Sequence, residues 1–295
     1  MDLTHYKDGV NKPGLTPVPV TSTAGAAHFS RQMAGFARLL GKDDEARRFT
    51  SNFERIRGRF NEEFLADDGW YAPNSQTAQA VALWYDLVSD DRQEQVMDRL
   101  LEAIRDNDYH TSVGFLGVKP LLYQLSETGH LDLVYRMVNQ EESPGWLHYV
   151  DSDRSTMGEN LNAAGYGTGH HPQTTNVGFW LYAYLGGIQP FTGAAGLDTI
   201  DLKPGFNTPL EFARATHRTP KGTVRSDWRK EGDNITYRIT IPANMTGRLV
   251  LARPLDAKNW VLRAVDLGPY VRAAGEDIYL IGPGAHTLRF GLDTE

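Results

Sequence analysis

Residues 144–188, PGWLHYVDSDRSTMGENLNAAGYGTGHHPQTTNVGFWLYAYLGGI, separate a part of the chain with helical periodicity from a part with strand periodicity. The middle of this stretch is rich in glycine, which is typical of irregular backbone. Its end, about Thr174 to Leu185, predicts an amphipathic helix, because apolar residues recur at spacings of three and four. Helical spacing stops at Ile188. The chain is therefore expected to divide near residue 190 into an α domain and a β domain.

The part before this stretch has the pattern of short helices. The first, Thr21 to Gly41, is predicted to bury an apolar face made of Phe29, Met33, Phe36 and Leu40. A second is predicted from Asp43 or Asp44, with core residues Phe53, Ile56, Phe60 and Phe64. Further helices are expected at 77–87, 90–104, 116–125 and 130–139. Helices paired by short polar loops form a bundle, a solenoid or a helical barrel, and the absence of a fixed repeat makes the solenoid least favoured.

The part after residue 190 alternates with period two. In DNITYRITIP at 233–242, Ile235, Tyr237, Ile239 and Ile241 face one side of a predicted strand. Similar segments lie at 223–228, 248–252, 260–264, 277–281 and 286–290, and strands at this spacing predict an antiparallel β-sandwich. The domain prediction is an extended lead-in at 1–20, helices at 21–190 and a β-sandwich at 191–295, with the glycine-rich segment 189–199 as a linker.

Composition excludes several classes of protein. The 295 residues carry a formal net charge of -7 and contain no dense run of Lys or Arg, so nucleic acid is not an expected partner. The absence of cysteine excludes disulfides and thiol catalysis. No apolar run approaches the roughly 18 residues of a membrane span, and the N-terminal residues lack the apolar core of a signal peptide. A cytoplasmic protein without a cofactor is expected.

The chemistry of the quoted stretch centres on one carboxylate. Glu159 lies between the aromatic residues Trp146 and Tyr149 on one side and the pair His170 and His171 on the other. Aromatic faces that stack on sugar rings, a few hydrogen-bonding groups and a carboxylate are the components of a carbohydrate site. Glycoside hydrolysis needs two carboxyl groups. The stretch therefore indicates half of a glycoside-hydrolase active site.

Other interpretations of the same stretch fail. Residues 151–162 begin like a calcium loop, but Thr156 and Asn162 stand where that loop needs glycine and glutamate. His170 and His171 are adjacent, so their side chains diverge, and no His-x-x-x-His or Glu-x-x-His pattern accompanies them. No Gly-x-Ser-x-Gly nucleophile elbow occurs. Neither a metal site nor a serine hydrolase is predicted.

Several motifs in order carry a resemblance to a known family. They are NSQTAQAVALWYDLVSDD at 74–91, YHTSVGFLGVKPLLYQLSETGHLDLVYRMV at 109–138, GWLHYV at 145–150, STMGEN at 155–160, PGF at 204–206, GTVRSDWRKEGD at 222–233 and TIPAN at 240–244. With these motifs the chain resembles the bacterial α-L-rhamnosidases of glycoside hydrolase family 78 over nearly its whole length. The resemblance implies a partial (α/α)6 six-hairpin barrel followed by an antiparallel β-sandwich, and inverting hydrolysis of terminal α-L-rhamnose.

The resemblance also implies roles for particular residues. Glu159 matches the glutamate that activates the attacking water, and Gly158 replaces the family's tryptophan, which removes an aromatic wall beside the carboxylate. His171 matches a sugar-contacting histidine, and His170 stands in place of an asparagine. Trp146, with Tyr149, falls in a sugar-facing region. His110 and Thr111 match a barrel loop before Gly-Phe-Leu-Gly.

One departure from the family leaves two hypotheses open. The family's general acid lies in a segment rich in Asp, Arg and Glu, and nothing like it occurs before Thr21. The sequence also predicts about seven helices, too few for six hairpins. Either the acid comes from a missing N-terminal segment or another chain, or this is a non-catalytic, sugar-binding remnant of the fold. A weaker alternative is a uronic acid substrate, with Arg154 as its partner. Helix faces left without partners predict self-association.

Overall fold

The structure is a computed structural model that describes residues 6–7, 10–11, 16–151, 155–159, 161, 169–191, 197–251, 261–266, 270–275 and 277–293. The helices among these residues are α1 Val18–Leu39, α2 Asp43–Phe64, α3 Gln76–Trp84, α4 Gln93–Arg105, α5 Phe115–Glu127, α6 Leu131–Val138, α7 Trp146–Asp151 and α8 Asn176–Trp180. A 3-10 turn, Asp90–Arg92, leads into α4, and a π-helical turn, Leu181–Leu185, continues α8. The predicted helices are thus present, with ends that differ by a few residues.

Helix α1 buries the face opposite to the predicted one. Its buried residues are Val20, Ala24, Ala27, Ser30, Ala34 and Ala37, while Phe29 and Phe36 are 60% and 58% exposed. The small side chains allow α1 to pack closely on α2, where Asn52 donates to Ser30 Oγ at 2.7 Å. The prediction for this face is wrong, because period alone does not tell which of two apolar stripes meets the partner helix. The helix also begins at Val18 rather than Thr21, since prolines fit a first helical turn.

Helix α2 begins at Asp43 as predicted. It carries three acidic residues in its first turn, and their negative charges interact favourably with the positive end of the helix dipole. Phe53 and Phe60 are buried, whereas Ile56 and Phe64 are half-buried. The ring of Phe60 lies 5.4 Å from the ring of Tyr71 in the loop that follows α2. This contact fixes the loop that leads into α3.

Helix α3 is buried along Gln76 to Leu83, and it holds the loop that precedes α5. The side chain of Ser75 caps the helix by accepting the amide of Ala78 at 3.1 Å. Gln76 donates to the carbonyl of His110 at 3.0 Å and accepts the amide of Ser112 at 2.9 Å. A buried amide side chain therefore fixes the backbone beside the predicted site residue His110.

Helix α7 was not predicted, because six residues are too few to show a helical period. It carries Trp146 and Tyr149, both buried. The predicted sugar-facing aromatic residues therefore belong to a short helix rather than to a loop.

The strands are β1 Tyr6–Lys7, β2 Val10–Asn11, β3 Ile188–Pro190, β4 Thr199–Leu202, β5 Phe212–Thr219, β6 Gly222–Glu231, β7 Asn234–Ile241, β8 Thr246–Val250, β9 Val261–Asp266, β10 Val271–Gly275, β11 Ile278–Ile281 and β12 Gly284–Asp293. Strands β1 and β2 pair with each other. The others form two five-stranded sheets, in the orders β10-β11-β8-β4-β3 and β5-β6-β7-β12-β9. Side chains of both sheets meet in one apolar core, as a sandwich requires.

The sandwich departs from the prediction in two respects. Strands β4 and β8 pair in parallel, so the first sheet is mixed rather than purely antiparallel. Strands β3, β4, β5 and β10 were not predicted. The segment expected to be a linker contains the ends of β3 and β4, and β5 is an edge strand with little apolar alternation. In β7 the predicted alternation is confirmed, because Ile235, Tyr237, Ile239 and Ile241 are buried.

The chain forms two compact units. One contains Met1–Gln124 and Arg136–Asn176, and the other contains Leu125–Tyr135 and Val177–Glu295. The domain boundaries expected from the sequence stay a prediction. Within the described part of the chain, no helix combines the length and the apolar character that crossing a membrane requires.

Candidate functional site

All six predicted site residues lie in the first compact unit. Trp146 and Tyr149 are only 2% and 3% exposed, which leaves their rings little surface for a sugar. Glu159 and His171 are half-buried, and His170 is exposed. The neighbouring histidines thus have different environments.

The backbone immediately before Glu159 is held from two sides. The amide of Gly158 donates to the hydroxyl of Tyr149 at 2.7 Å. The carbonyl of Gly158 accepts the hydroxyl of Thr174 at 2.7 Å. Both polar groups of a buried residue are therefore paired, which fixes the origin of the Glu159 side chain.

Thr174 connects the other parts of the site. Its hydroxyl also lies 2.9 Å from the carbonyl of His171, and its own carbonyl accepts the indole N–H of Trp146 at 3.0 Å. A hydroxyl has a single hydrogen, so the carbonyls of Gly158 and His171 share one donor. Thr174 thereby joins α7, the Glu159 loop and the histidine segment.

Two loop segments pair with each other, one that ends just before Glu159 and one that contains His171. The amide of His171 donates to the carbonyl of Met157 at 2.8 Å, and Thr156 Oγ1 donates to the carbonyl of Gly169 at 2.5 Å. Residues 156–158 and 169–171 therefore lie side by side. This pairing brings the glutamate and the histidine segment together although 12 positions separate Glu159 from His171 in the sequence.

The ring of His171 is packed beside an aromatic ring and has one unsatisfied nitrogen. Its ring lies 5.3 Å from the ring of Phe115, and its Nδ1 is buried with no hydrogen-bond partner among the described residues. Buried polar atoms in native proteins are almost always paired. A hydroxyl group of a bound sugar would satisfy such a nitrogen.

His110 has a different environment from the glutamate and the histidine pair. Its Nδ1 lies 3.2 Å from the carbonyl of Pro144, at the start of the quoted stretch. The carbonyl of His110 accepts both Gln76 and Asn107, and the neighbouring Thr111 is fully buried. These contacts indicate that His110 connects the loop after α4 to the segment that leads into α7.

The described residues contain no group of three or more His, Asp or Glu side chains arranged to hold a metal ion. Arg154, the candidate partner of a uronic acid, lies outside the residues that the structure describes.

Near the site, burial raises the pKa of Tyr123 to about 12, so this phenol stays a neutral donor. It donates to Asn176, at the start of α8, at 3.2 Å.

Sequence reasoning did not find three of the residues that build this site, namely Thr174, Gln76 and Phe115. Thr174 was expected to open a helix, but it lies in the turn before α8 and uses its hydroxyl to cap two carbonyls. A threonine at a predicted helix start is a frequent capping residue, so the signal was present without its partners. Gln76 and Phe115 lie within the motifs at 74–91 and 109–138, but those motifs do not show which distant residues the two side chains contact.

Two family models match the chain. The model described as the bacterial alpha-L-rhamnosidase 6 hairpin glycosidase domain covers residues 2–185. The model described as the bacterial alpha-L-rhamnosidase C-terminal domain covers residues 187–259. Together they span both the helical part and most of the strands.

Curated relatives and solved structures agree with these models. An alpha-L-rhamnosidase of Streptomyces avermitilis is 33% identical over 291 residues, which are 95% of this chain and 28% of that protein. One of Formosa agariphila is 30% identical over 257 residues, 84% of this chain and 28% of that protein.

Solved structures match as well. The crystal structure of the Streptomyces avermitilis enzyme complexed with L-rhamnose matches with a TM-score of 0.80 and 32% identity, over 93% of this chain and 27% of that chain. The alpha-L-rhamnosidase from Dictyoglumus thermophilum matches with a TM-score of 0.82 at 24% identity, over 99% of this chain and 34% of that one, which shows the fold alone. The chain thus spans little more than a quarter of the length of its curated relatives.

Proposed function

The chain belongs to the bacterial α-L-rhamnosidases, and from this membership we propose that it forms part of a glycoside hydrolase that removes terminal α-L-rhamnose with Glu159 as general base. The observation that supports this role is the position of Glu159. Glu159 is a half-buried residue that follows a backbone fixed by Tyr149 and Thr174, and it comes from the loop segment that pairs with that of His171. A carboxylate whose origin is fixed in this way suits a catalytic role.

In the proposed reaction, Glu159 takes a proton from a water molecule, and the water oxygen attacks the anomeric carbon as the glycosidic bond breaks. A second carboxyl group gives its proton to the leaving oxygen, so the configuration at the anomeric carbon inverts. In an inverting enzyme the two carboxyl groups stand about 6.5 to 9.5 Å apart, which leaves room for the water. We propose that this acid comes from the part of the enzyme that these 295 residues do not span.

The test is hydrolysis of an aryl α-L-rhamnoside by two folded proteins, the chain itself and a chimera. In the chimera this chain replaces the matching segment of the Streptomyces avermitilis relative, which supplies the rest of that enzyme. Each protein is assayed beside its Glu159→Gln variant. We expect turnover in the chimera, a loss of more than a thousandfold in kcat with Glu159→Gln, and initial release of the β anomer, as seen by NMR. Turnover that Glu159→Gln leaves unchanged would exclude the proposed base.

The second candidate function is a non-catalytic sugar-binding protein of the same fold. The observation that favours it is Gly158, which replaces the tryptophan of the family beside the glutamate. This candidate predicts that L-rhamnose binds to the chain, as calorimetry would measure, while neither the chain nor the chimera turns over substrate. Turnover in either protein would exclude it.

The exposed face of α1 supports the expected association. Phe29, Phe36, Leu39 and Leu40 are exposed apolar side chains at one end and along one side of the helix. We propose that further helices cover this face, and that a second copy covers it when the chain is alone. Phe29→Ser combined with Phe36→Ser should reduce the mass seen by light scattering at micromolar concentration. A wild-type chain that is monomeric under these conditions would contradict the proposal.

The cytoplasmic location that the sequence favours stays a prediction.

A further inference from the structure

The second sheet of the sandwich presents six arginines on its outer side. They are Arg214 and Arg218 on β5, Arg225 and Arg229 on β6, Arg238 on β7 and Arg289 on β12, and together they define the arginine face. All are exposed except Arg229, which is half-buried. The residues that alternate with them on β6, β7 and β12 include Val224, Trp228, Ile235, Tyr237 and Leu288 and point into the core.

The strand register places these arginines in a checkerboard. Arg225 lies opposite Thr216 on one side and Thr240 on the other. Arg238 lies opposite Asp227 and Thr287. The remaining pairs are Arg214 to Asp227, Arg218 to Thr223, Arg229 to Phe212, Arg229 to Thr236, Arg289 to Thr236 and Arg289 to Asp266. No arginine of the face lies directly opposite another among these described pairs.

The face is concentrated in positive charge and small enough for one ligand to cover. Neighbouring strands are about 4.8 Å apart and alternate residues of a strand about 6.7 Å apart, so the face spans roughly 14 Å across its four strands and roughly 20 Å along its four rows. On these four strands the only carboxylate among the described rows is Asp227, which accepts Arg214 Nε at 3.3 Å, and Asp266 of the neighbouring strand β9 lies opposite Arg289. Six arginines together with Asp227 and Asp266 leave a formal charge of +4, on a chain whose formal net charge is -7.

A sheet face that is simply exposed to solvent would not need so many arginines in one place. Like charges this close repel each other, and Asp227 and Asp266 balance only two of the six positive charges. Arg225 lies opposite Thr216 and Thr240, and Arg238 lies opposite Thr287, so these two arginines present planar forks beside hydroxyl groups, which suits carboxylate or sulfate ligands. The threonines between them offer hydroxyls at the same surface. This combination matches a polymer that carries both acid groups and hydroxyl groups.

One aromatic ring completes the face. Phe212 is 48% exposed, and the guanidinium carbons of Arg214 and Arg229 lie 5.8 and 5.3 Å from its ring centre. The two arginines hold the ring at the edge of the face, where a sugar ring can stack on it. Surfaces that bind single-stranded nucleic acid instead use several aromatic residues for successive bases. The single ring and the interleaved hydroxyls favour a glycan.

We propose that the arginine face binds an acidic polysaccharide, with the guanidinium groups on its carboxylate or sulfate groups, the threonines on its hydroxyls and Phe212 against one sugar ring. This site lies apart from Glu159 in the sequence and uses none of the predicted active-site residues. It relies on the proposed function only for the preference for a glycan, because its binding needs no turnover.

The experiment measures binding of the full chain by affinity electrophoresis and calorimetry. The probes are polygalacturonate as a carboxylated polymer, dextran sulfate as a sulfated one, neutral dextran, and duplex DNA. The test variant is Arg225→Gln with Arg238→Gln, at the centre of the face. The control variant is Arg105→Gln with Arg272→Gln, two exposed arginines on α4 and β10, which gives the same change in net charge. Circular dichroism and thermal unfolding establish that all variants are folded.

We expect one of the two acidic polymers to bind, neutral dextran not to bind, and the affinity to fall as salt screens the charges. Arg225→Gln with Arg238→Gln should weaken binding at least tenfold, and the control variant should weaken it less than twofold. Phe212→Ala should weaken binding several-fold without changing the salt dependence. The stronger of polygalacturonate and dextran sulfate identifies carboxylate or sulfate as the acid group.

Four results would overturn the proposal. They are no binding of either acidic polymer, an equal loss in test and control variants, tighter binding of DNA than of both polysaccharides, or binding that appears only with self-association in sedimentation. Loss of rhamnoside hydrolysis with retained binding would affect the proposed function alone. Retained hydrolysis without binding would affect this inference alone.

Discussion

The hydroxyl of Thr174 lies within hydrogen-bond distance of the carbonyls of Gly158 and His171, so one side chain contacts both loop segments of the candidate site. The same residue accepts the indole N–H of Trp146 through its carbonyl. Trp146 and Tyr149 thereby act on the site through the backbone, as donor and acceptor, rather than through exposed rings. At the scale of the residue, buried hydrogen bonds determine where the carboxylate can lie.

Replacing Thr174 by valine tests this arrangement. Valine keeps the shape but leaves the buried carbonyl of Gly158 without its donor, which typically costs about 1 to 3 kcal/mol. The free energy of unfolding, measured with urea, should fall by about that amount in Thr174→Val. Thr174→Ser keeps the hydroxyl and should lose clearly less. Equal stability of the two variants would show that the hydroxyl does not hold the loop.

At the scale of the element, the junction between the π-helical turn and β3 depends on two glycines. Gly187 has a φ of +78°, and a Cβ there would lie 2.5 Å from the backbone nitrogen of Pro204. Gly186 has as little space, because a Cβ at this position would lie 2.5 Å from the Cβ of Ala215. Strand β3 can therefore leave the helical turn only through residues without side chains.

Gly187→Ala should destabilise the chain, because the new methyl group meets backbone atoms and the positive φ strains an alanine. We expect a loss of at least 1 to 3 kcal/mol in the free energy of unfolding. Gly178→Ala in α8 is the matched control. Nothing lies within 4 Å of its Cβ position, so alanine should be neutral or stabilise the helix by up to about 1 kcal/mol. A tolerated Gly187→Ala would contradict the close approach of the Pro204 backbone.

At the scale of the molecule, the fold exposes some ionisable groups to solvent and buries others. Arginines from four strands gather on one outer face, while phenols such as Tyr71 and Tyr237 lie fully buried. Burial raises the pKa of Tyr237 above the usual value near 10. The hydroxyl of Ser226 donates to the carbonyl of Gly186 at 2.6 Å, so Tyr237 must be the donor in its 2.9 Å hydrogen bond to Ser226.

This burial predicts alkaline instability. Above about pH 10 the unfolded chain loses the Tyr237 proton while the folded chain keeps it, so the unfolded state binds fewer protons and stability falls as pH rises. One such group contributes about 1.4 kcal/mol per pH unit. Tyr237→Phe should be less stable at neutral pH. Between pH 10 and 11, however, its free energy of unfolding, measured with urea, should fall less steeply with pH than that of the wild type, by up to about this amount. An unchanged slope would contradict the assignment.

Several elements could be predicted from the sequence because local chemistry determines them. Helix α2 begins at Asp43 because acidic residues favour a first helical turn, and β7 buries Ile235 to Ile241 by alternation alone. Other elements depend on distant residues. Strand β4 begins at the last residue of the glycine-rich segment and pairs with β3 and β8, and the buried face of α1 is chosen by its contact with α2.

The sequence by itself determined the class of the fold, a helical part followed by sheets, and the family, because motifs and hydrophobic periods are local properties of the chain. It also identified Glu159, Trp146, Tyr149 and the histidine pair as candidates. Only the tertiary structure decided that Thr174 joins them, since its partners lie up to 28 residues away in the sequence. It likewise assembled the arginine face. No run of basic residues marks that face, because alternate positions on four paired strands come together only when register and pleat place them on one side of the sheet.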